Sequence, residues 1–524
     1  MPVTANEALM QQAQSRPEDT AFIFQGNVWT YRQLAHESER VAHGLWASGV
    51  RAGDRVVLHM KNRPEMLVAY YACFRLGAIA APFRTAFTLA ELAPMLERLR
   101  PALYIGESAL YPNVAAVDAA VLPREKRVIL DDADGMHGIQ PWEVLKHAAT
   151  ADLPIPASDE PAVLINTSGS TGQPKFVVHT QDTIAAMIPL FCKHLGFRAD
   201  DVVISPLQMA HGSGLFCSLS YVRAGVSFIM LQTGDGNSVL ENIERYRGTW
   251  FLGFPYQYAG LLEAQQAKPR DVSSLRMCLT AADTCPIDLQ KQVTAALRAP
   301  LYNFWGATEV CGQLTFGLQP GAVVRITEDA DIRLVDENGA DAAHGEVGEL
   351  LIRGRNVFVG YWNDPVATAK CLKDGWYYTG DLMRRGDGDE LWFVSRKKDI
   401  IIRGGTNISP AEVEEALVAC HPAVQEAAAV GKPDPVLGQR VFGFVKLAND
   451  AKDGVVAEIL KNVSKRLAAY KVPDGLQVLE ALPRNALSKV DRRMLERMVP
   501  EDASAGVPAR QMEPSVRMRP ANYR

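Results

Sequence analysis

The chain has 524 residues, a net charge of −5, 48% apolar residues and 22% charged residues. That length exceeds what one hydrophobic core supports, so two or more domains are expected of a soluble globular protein. With no basic excess to neutralise phosphates, the composition argues against a nucleic-acid partner, although a local basic patch remains compatible with it.

Met1 to Ser15 lacks both a basic start and an apolar stretch, so no signal peptide is expected. No run of about 18 apolar residues occurs, so no membrane span is expected either. The eight cysteines (Cys73, Cys192, Cys217, Cys278, Cys285, Cys311, Cys371 and Cys420) show no CxxC spacing. A zinc site or a dense disulfide framework is therefore not expected, and reduced thiols in the cytoplasm fit better.

From Asn6 to about Val394, short β-branched runs alternate with longer amphipathic stretches. Arg55–Leu58, Ala162–Ile165 and Val202–Ile204 read as strands. Leu89, Leu92, Met95, Leu96 and Leu99 have helical spacing. This alternation predicts an α/β fold with parallel-rich sheets flanked by helices. A charged cluster, Ser395 to Asp399, then separates two apolar segments. Beyond it Ser409, Pro410 and Glu412 read as a helix start: cap, proline at the first position, acid in the first turn. Strands at Val424–Val430 and Val441–Leu447 and a helix around Val455–Leu467 complete a small α+β unit. The expected domains are 1–395, 396–500 and a poorly ordered tail, 501–524.

The apolar run at Ala162 leads into Thr167-Ser168-Gly169-Ser170-Thr171-Gly172-Gln173-Pro174-Lys175. Glycines let backbone N–H groups turn inward, hydroxyls add donors and the lysine adds charge, which suits phosphate. The spacing is not that of a Walker A loop. Taken alone, the segment is equally a polar surface turn.

This loop resembles the signature of the adenylate-forming superfamily, which includes acyl- and aryl-CoA synthetases, adenylation domains of peptide synthetases and luciferases. The likeness runs from about Thr30 to Asp491, with further motifs in order. It implies a large N-terminal domain and a small mobile C-terminal one. It also implies an AMP-forming carboxylate–coenzyme A ligase that uses ATP and Mg2+ and makes an acyl-adenylate first. Asn303-Phe304-Trp305-Gly306-Ala307-Thr308-Glu309 resembles N-x-Y-G-x-T-E, with Trp305 at the tyrosine that stacks on adenine. By that match Thr308 donates to the α-phosphate and Glu309 holds magnesium. An isolated Thr-Glu pair is otherwise a common helix start. Thr280 to Pro286 resembles the segment beside adenine, with Ala281, Ala282 and Asp283 at the nucleotide. A packed strand end would read the same.

Gly375 to Leu382 resembles the ribose motif, with Asp381 as acceptor for the hydroxyls and Arg396 assisting. A lone Thr-Gly-Asp is usually a turn. Pro483 to Asp491 resembles the lysine loop, in which Lys489 bridges the carboxylate and the α-phosphate. A lone lysine near a chain's end is usually a solvated charge. His211 matches a histidine near the acyl pocket, or is simply a core histidine. Lys398 matches the pivot for domain rotation, and Gly404, Gly405 and Thr406 match the face that passes coenzyme A. The implied acyl pocket comprises His211, Gly212, Phe254, Ala281, Gly306 and Cys311, with Trp305 nearby. It suits an uncharged aryl or short-to-medium aliphatic acid.

Phe176 and Ser488 replace family glycines, and Gln439 replaces a common glutamate. Phe176 is expected to place a ring beside the phosphate loop, and Ser488 to alter the lysine loop. The alternatives are transfer to a separate carrier protein, or a non-catalytic nucleotide or acyl binder. Homodimer formation is left open.

Overall fold

The computed structural model describes residues 3–131, 136–167, 174–281, 285–313, 315–327, 331–386, 388–404, 406–434, 436–448, 454–485 and 489–500. The expected tail lies outside them. The chain divides into two compact units. One is Met1–Asp331 with Ile352–Tyr377; the other is Ile332–Leu351 with Tyr378–Arg524. The expected boundary at 396 falls inside the second unit.

The first unit holds two large sheets. One runs Leu301–Phe304, Met277–Ala281, Trp250–Gly253, Val202–Ser205, Ser227–Met230, Thr20–Phe24 and Asn27–Thr30. Every pair in it is parallel except the last. The other runs Gly360–Tyr361, Lys175–Thr180, Pro161–Thr167, Ile79–Phe83, Arg55–His59, Leu103–Gly106, Arg127–Ile129 and Gln140–Pro141. Its first two pairs are antiparallel and the rest parallel.

These strands are apolar on both faces because both faces are covered. One core joins Val56, Leu58, Ala80 and Ile165 of one sheet to Phe22, Val203, Phe228 and Trp250 of the other. The helix Pro64–Leu76 lies within that core, and nearly all of its residues are buried, which accounts for its lack of a polar face. The far face of the second sheet is covered by Leu89–Leu99, the helix predicted from its apolar spacing. The far face of the first is covered by Gly236–Tyr246, Pro255–Ala267 and Ile287–Leu297. The α/β class expected from the sequence is the class observed.

In the second unit, Glu390–Arg396, Trp376–Arg385, Val347–Arg353 and Asp331–Val335 are successive neighbours in a sheet. A separate sheet is built on the hairpin of Val424–Asp434 and Gly438–Leu447. The helix Pro410–Cys420 begins as predicted, with the Ser409 side chain accepting from the Glu412 N–H. The last predicted helix ends at Val463, and the chain continues to Leu467 in turns. Among the described residues no helix is long and apolar enough to cross a membrane.

Candidate active site

The strands Pro161–Thr167 and Lys175–Thr180 are antiparallel, with Thr167 opposite Lys175. The glycine-rich loop therefore joins two paired strands. Ser168, Gly169, Ser170, Thr171 and Gly172 lie outside the described residues. Both stems are tied down. The Asn166 side-chain amide donates to the Pro82 carbonyl at 2.7 Å, and Arg98 donates to the Pro174 carbonyl at 2.7 Å.

Phe176, next to Lys175, faces the core. Its ring is fully buried and stacks on Phe83, 6.4 Å between centroids, beneath the Arg98 guanidinium at 5.4 Å. It belongs to the core cluster with Leu164 and Val178. Strand alternation sends consecutive side chains to opposite faces. The ring therefore packs into the core on the face shared with Leu164 and Val178.

Thr308 and Glu309 do not start an α-helix. Gly306–Ala307 pairs with Gly312–Gln313, and Thr308–Val310 forms the 3-10 turn between them. Cys311 closes the turn in the left-handed region at φ 58°. The turn's carbonyls are held from outside. His179 Nε2 lies 2.7 Å from the Thr308 oxygen, and the Phe358 N–H donates to the Glu309 oxygen at 2.7 Å. The Glu309 side chain is fixed as well, because the Tyr361 hydroxyl donates to Oε1 at 2.9 Å. Burial first, and then the Glu309 charge, push the Tyr361 phenol far above its ordinary range, so it stays a donor.

The Lys175 ammonium sits over the Tyr361 ring, 4.6 Å from its centroid. Backbone pairing enforces this, since Tyr361 is opposite Val177 on the strand that begins at Lys175. The structure thus brings Lys175, Tyr361 and Glu309 together. Neither Tyr361 nor His179 stood out in the sequence; the only signals were a tyrosine after Gly360 and a polar residue ending the apolar run Val177-Val178.

Among the described residues, no three His, Cys, Asp or Glu side chains converge on a common point. A single carboxylate such as Glu309 suits magnesium, which keeps waters and phosphate oxygens as its other ligands.

The nucleotide and acyl candidates gather at one sheet edge. Phe254, Ala281 and Trp305 lie at or just past the carboxyl ends of three adjacent parallel strands. Ligands of open α/β sheets bind at such edges. Asn303 and Phe304 pair with Thr280 and Ala281. Trp305 is buried and its backbone N–H donates to the Val323 carbonyl, whereas Gly306 is exposed. Ala282 and Asp283 lie outside the described residues.

His211 caps the helix Gly212–Ala224; its Nδ1 accepts from the Ser213 N–H at 3.2 Å. A Cβ on Gly212 would lie 3.3 Å from the Phe216 ring, and one on Gly214 only 2.2 Å from the Gln208 carbonyl oxygen. These glycines therefore let the helix start against its neighbours. Cys311, like Ala281 and Gly212, is buried. Its sulfur is buried against His179 Nδ1 at 3.1 Å.

In the second unit Thr-Gly-Asp is not a turn but the middle of the strand Trp376–Arg385. Asp381 is buried opposite Arg396, with Nε to Oδ1 at 3.4 Å. Glu349 braces the preceding residue: its Oε1 accepts from the Gly380 N–H, and its Oε2 pairs with Lys397 at 2.9 Å. Lys398 follows directly.

Gly404 turns at φ 57° and donates to the Leu437 carbonyl. Thr406 begins the next strand, and Gly405 lies outside the described residues. Gln439 is structural, with its side-chain oxygen accepting from the Ile402 N–H at 2.7 Å. Lys489 sits on a closed loop: its carbonyl accepts from the Asn485 N–H at 2.8 Å, and Arg484 bridges Val490. Ser488 lies outside the described residues.

The family model for AMP-binding enzymes matches residues 9–362, and the model for the AMP-binding enzyme C-terminal domain matches 412–489. This chain belongs to the AMP-binding enzyme family. As a member, it is an AMP-forming acid–thiol ligase of the class expected from its motifs.

The chain is similar to the indoleacetate–CoA ligase of Aromatoleum aromaticum, at 32% identity over 94% of this chain and 98% of that protein. It is 30% identical to the long-chain-fatty-acid–CoA ligase of Bacillus subtilis, over 94% of each. Among solved structures, anthranilate CoA ligase AuaEII in complex with anthranoyl-AMP superposes with a TM-score of 0.89. Its identity is 25%, over 95% of this chain and 98% of that one.

Proposed function

We propose that this AMP-binding enzyme converts an uncharged aryl or short-to-medium aliphatic acid to its coenzyme A thioester in two steps. In the first, a carboxylate oxygen attacks the α-phosphorus of ATP, the bond to the β-phosphate breaks, and pyrophosphate departs. In the second, the coenzyme A sulfur attacks the acyl carbon and AMP departs as the leaving group.

The observation that carries the reading is the cluster of Lys175, Tyr361 and Glu309 beside the fixed Thr308 turn. It sets a cation, a carboxylate and a hydroxyl at the end of the loop that resembles a phosphate binder. Such preorganised groups meet the two demands of the first step, approach of one anion to another and departure of a third. Magnesium, held by Glu309, would supply further charge neutralisation on phosphate oxygens. Asp381, buried and braced from its strand, suits two ribose hydroxyls.

Lys489 serves the transferring centre during adenylation. Residues 396–500 turn about Lys398, and the Gly404–Thr406 face passes the pantetheine arm. The closed loop at Lys489 and the left-handed Gly404 are compatible with those roles. The acyl preference is supported by the small and aromatic character of Phe254, Ala281 and Gly306, and by indoleacetate and medium-chain fatty-acid ligases among the relatives.

The test is acid-dependent pyrophosphate–ATP exchange over matched aryl and alkyl acids, followed by mass detection of the thioester after coenzyme A is added. Exchange and thioester are both expected. No exchange with any acid would refute the enzyme reading. Exchange without a thioester would point to a carrier-protein acceptor.

A further inference from the structure

His179 is fully buried, yet every polar atom of its ring has a neighbour that belongs to the site. Nε2 lies 2.7 Å from the Thr308 carbonyl oxygen. A carbonyl only accepts, so Nε2 carries the proton and Nδ1 is the acceptor. Nδ1 lies 3.1 Å from both the Cys311 sulfur, whose S–H can donate to it, and the Thr183 hydroxyl, whose proton the Thr180 carbonyl also accepts. Burial holds the imidazole near a pKa of about 4 against the opposing effect of the Thr308 carbonyl, and burial keeps the Cys311 thiol protonated. The ring is therefore neutral in one tautomer around physiological pH.

Four elements meet on this ring. His179 lies on the strand that starts at Lys175. Thr183 comes from the helix Gln181–Leu195. Thr308 and Cys311 bracket the Glu309 turn. Phe216, edge-on to the imidazole at 5.4 Å, comes from the helix capped by His211.

We propose that His179 is a positioning residue for adenylation: its Nε2–H holds the Thr308 carbonyl so that the Thr308 side chain meets the α-phosphate. The proposal rests on the role assigned to Thr308 above. A donor to the backbone of the turn sets where the Thr308 hydroxyl stands, and misplacement of a reacting group by about 1 Å costs on the order of 100-fold in rate. Leucine at 179 fills similar space without a donor. Glutamine places an amide N–H near the position of Nε2.

The experiment compares His179→Leu and His179→Gln in acid-dependent pyrophosphate–ATP exchange. In His179→Leu, kcat is expected to fall about 10- to 100-fold with KM for ATP changed less than about threefold, and His179→Gln is expected to recover most of the loss. Equal losses in the two variants, or a loss carried by KM, would overturn the proposal.

A measurement on the unaltered protein guards against a leucine variant that fails to fold. Nitrogen NMR of 15N-histidine-labelled protein, assigned with His179→Gln, should show Nε2 protonated and Nδ1 bare from pH 5 to 8. A ring that titrates near 6.5, or carries its proton on Nδ1, would also overturn the proposal. Absence of exchange in the unaltered protein would refute the functional reading, and the NMR result would still decide the state of His179.

Discussion

Replacing Tyr361 by phenylalanine removes one atom and keeps the ring. The hydroxyl donates to Glu309 Oε1 at 2.9 Å, whereas the Lys175 ammonium rests over the ring face and loses nothing directly. A hydrogen bond to a charged group contributes about 1.5–3 kcal/mol. Glu309 is half-buried, so water replaces part of it, and about 1–2 kcal/mol is a reasonable net loss.

That free energy helps to hold the carboxylate in one orientation. Without it, the metal must order Glu309 on binding. Half-saturation by Mg2+ should therefore rise about 5- to 30-fold, at about 1.4 kcal/mol per tenfold. The KM for the carboxylic acid should be unchanged. The assay is a Mg2+ titration of pyrophosphate–ATP exchange, paired with Mn2+ binding followed by electron paramagnetic resonance without turnover. Unchanged metal affinity in both measurements would refute the argument that Tyr361 orients Glu309.

Four other outcomes are expected. Lys489→Ala should abolish adenylation and spare thioester formation from supplied adenylate, with equal loss of both steps counting against the lysine's role. Lys398→Pro should leave pyrophosphate–ATP exchange largely intact and impair thioester formation; equal loss would refute the pivot. Phe176→Ala should destabilise the protein by about 3–5 kcal/mol, because its ring fills the core beside Phe83; a denaturation midpoint close to that of the unaltered protein would contradict that packing.

The fourth concerns pH. Burial lowers both His59 and His179 to about 4, so between about 4 and the unfolded value near 6.5 the unfolded chain binds more protons. Stability should rise with pH through that window and be lost as pH falls toward 4. His179→Gln should flatten the dependence of the thermal midpoint on pH between 5 and 7. An equally steep dependence in the variant would exclude His179 as a contributor.

By itself the sequence determined what depends on local periodicity and local chemistry. The apolar spacing of Leu89–Leu99 and the Ser409 cap specify their helices because neighbours in sequence are neighbours on a helix. Apolar runs bounded by polar segments marked the strands at Arg55, Ala162 and Val202. The glycine- and hydroxyl-rich loop ending at Lys175 was visible for the same reason.

Only the tertiary structure decided what depends on strand order and register. It sent Phe176 into the core, because alternation along a strand does not say what packs against each face. It put Thr308 and Glu309 on a hairpin turn and Thr-Gly-Asp inside a strand. It also brought His179 to Thr308 across 129 positions and Tyr361 to Glu309 across 52. Those pairings arise because Lys175–Thr180 lies in its sheet between Pro161–Thr167 and Gly360–Tyr361. No local propensity encodes which distant strand completes a sheet; the burial of both faces settles it.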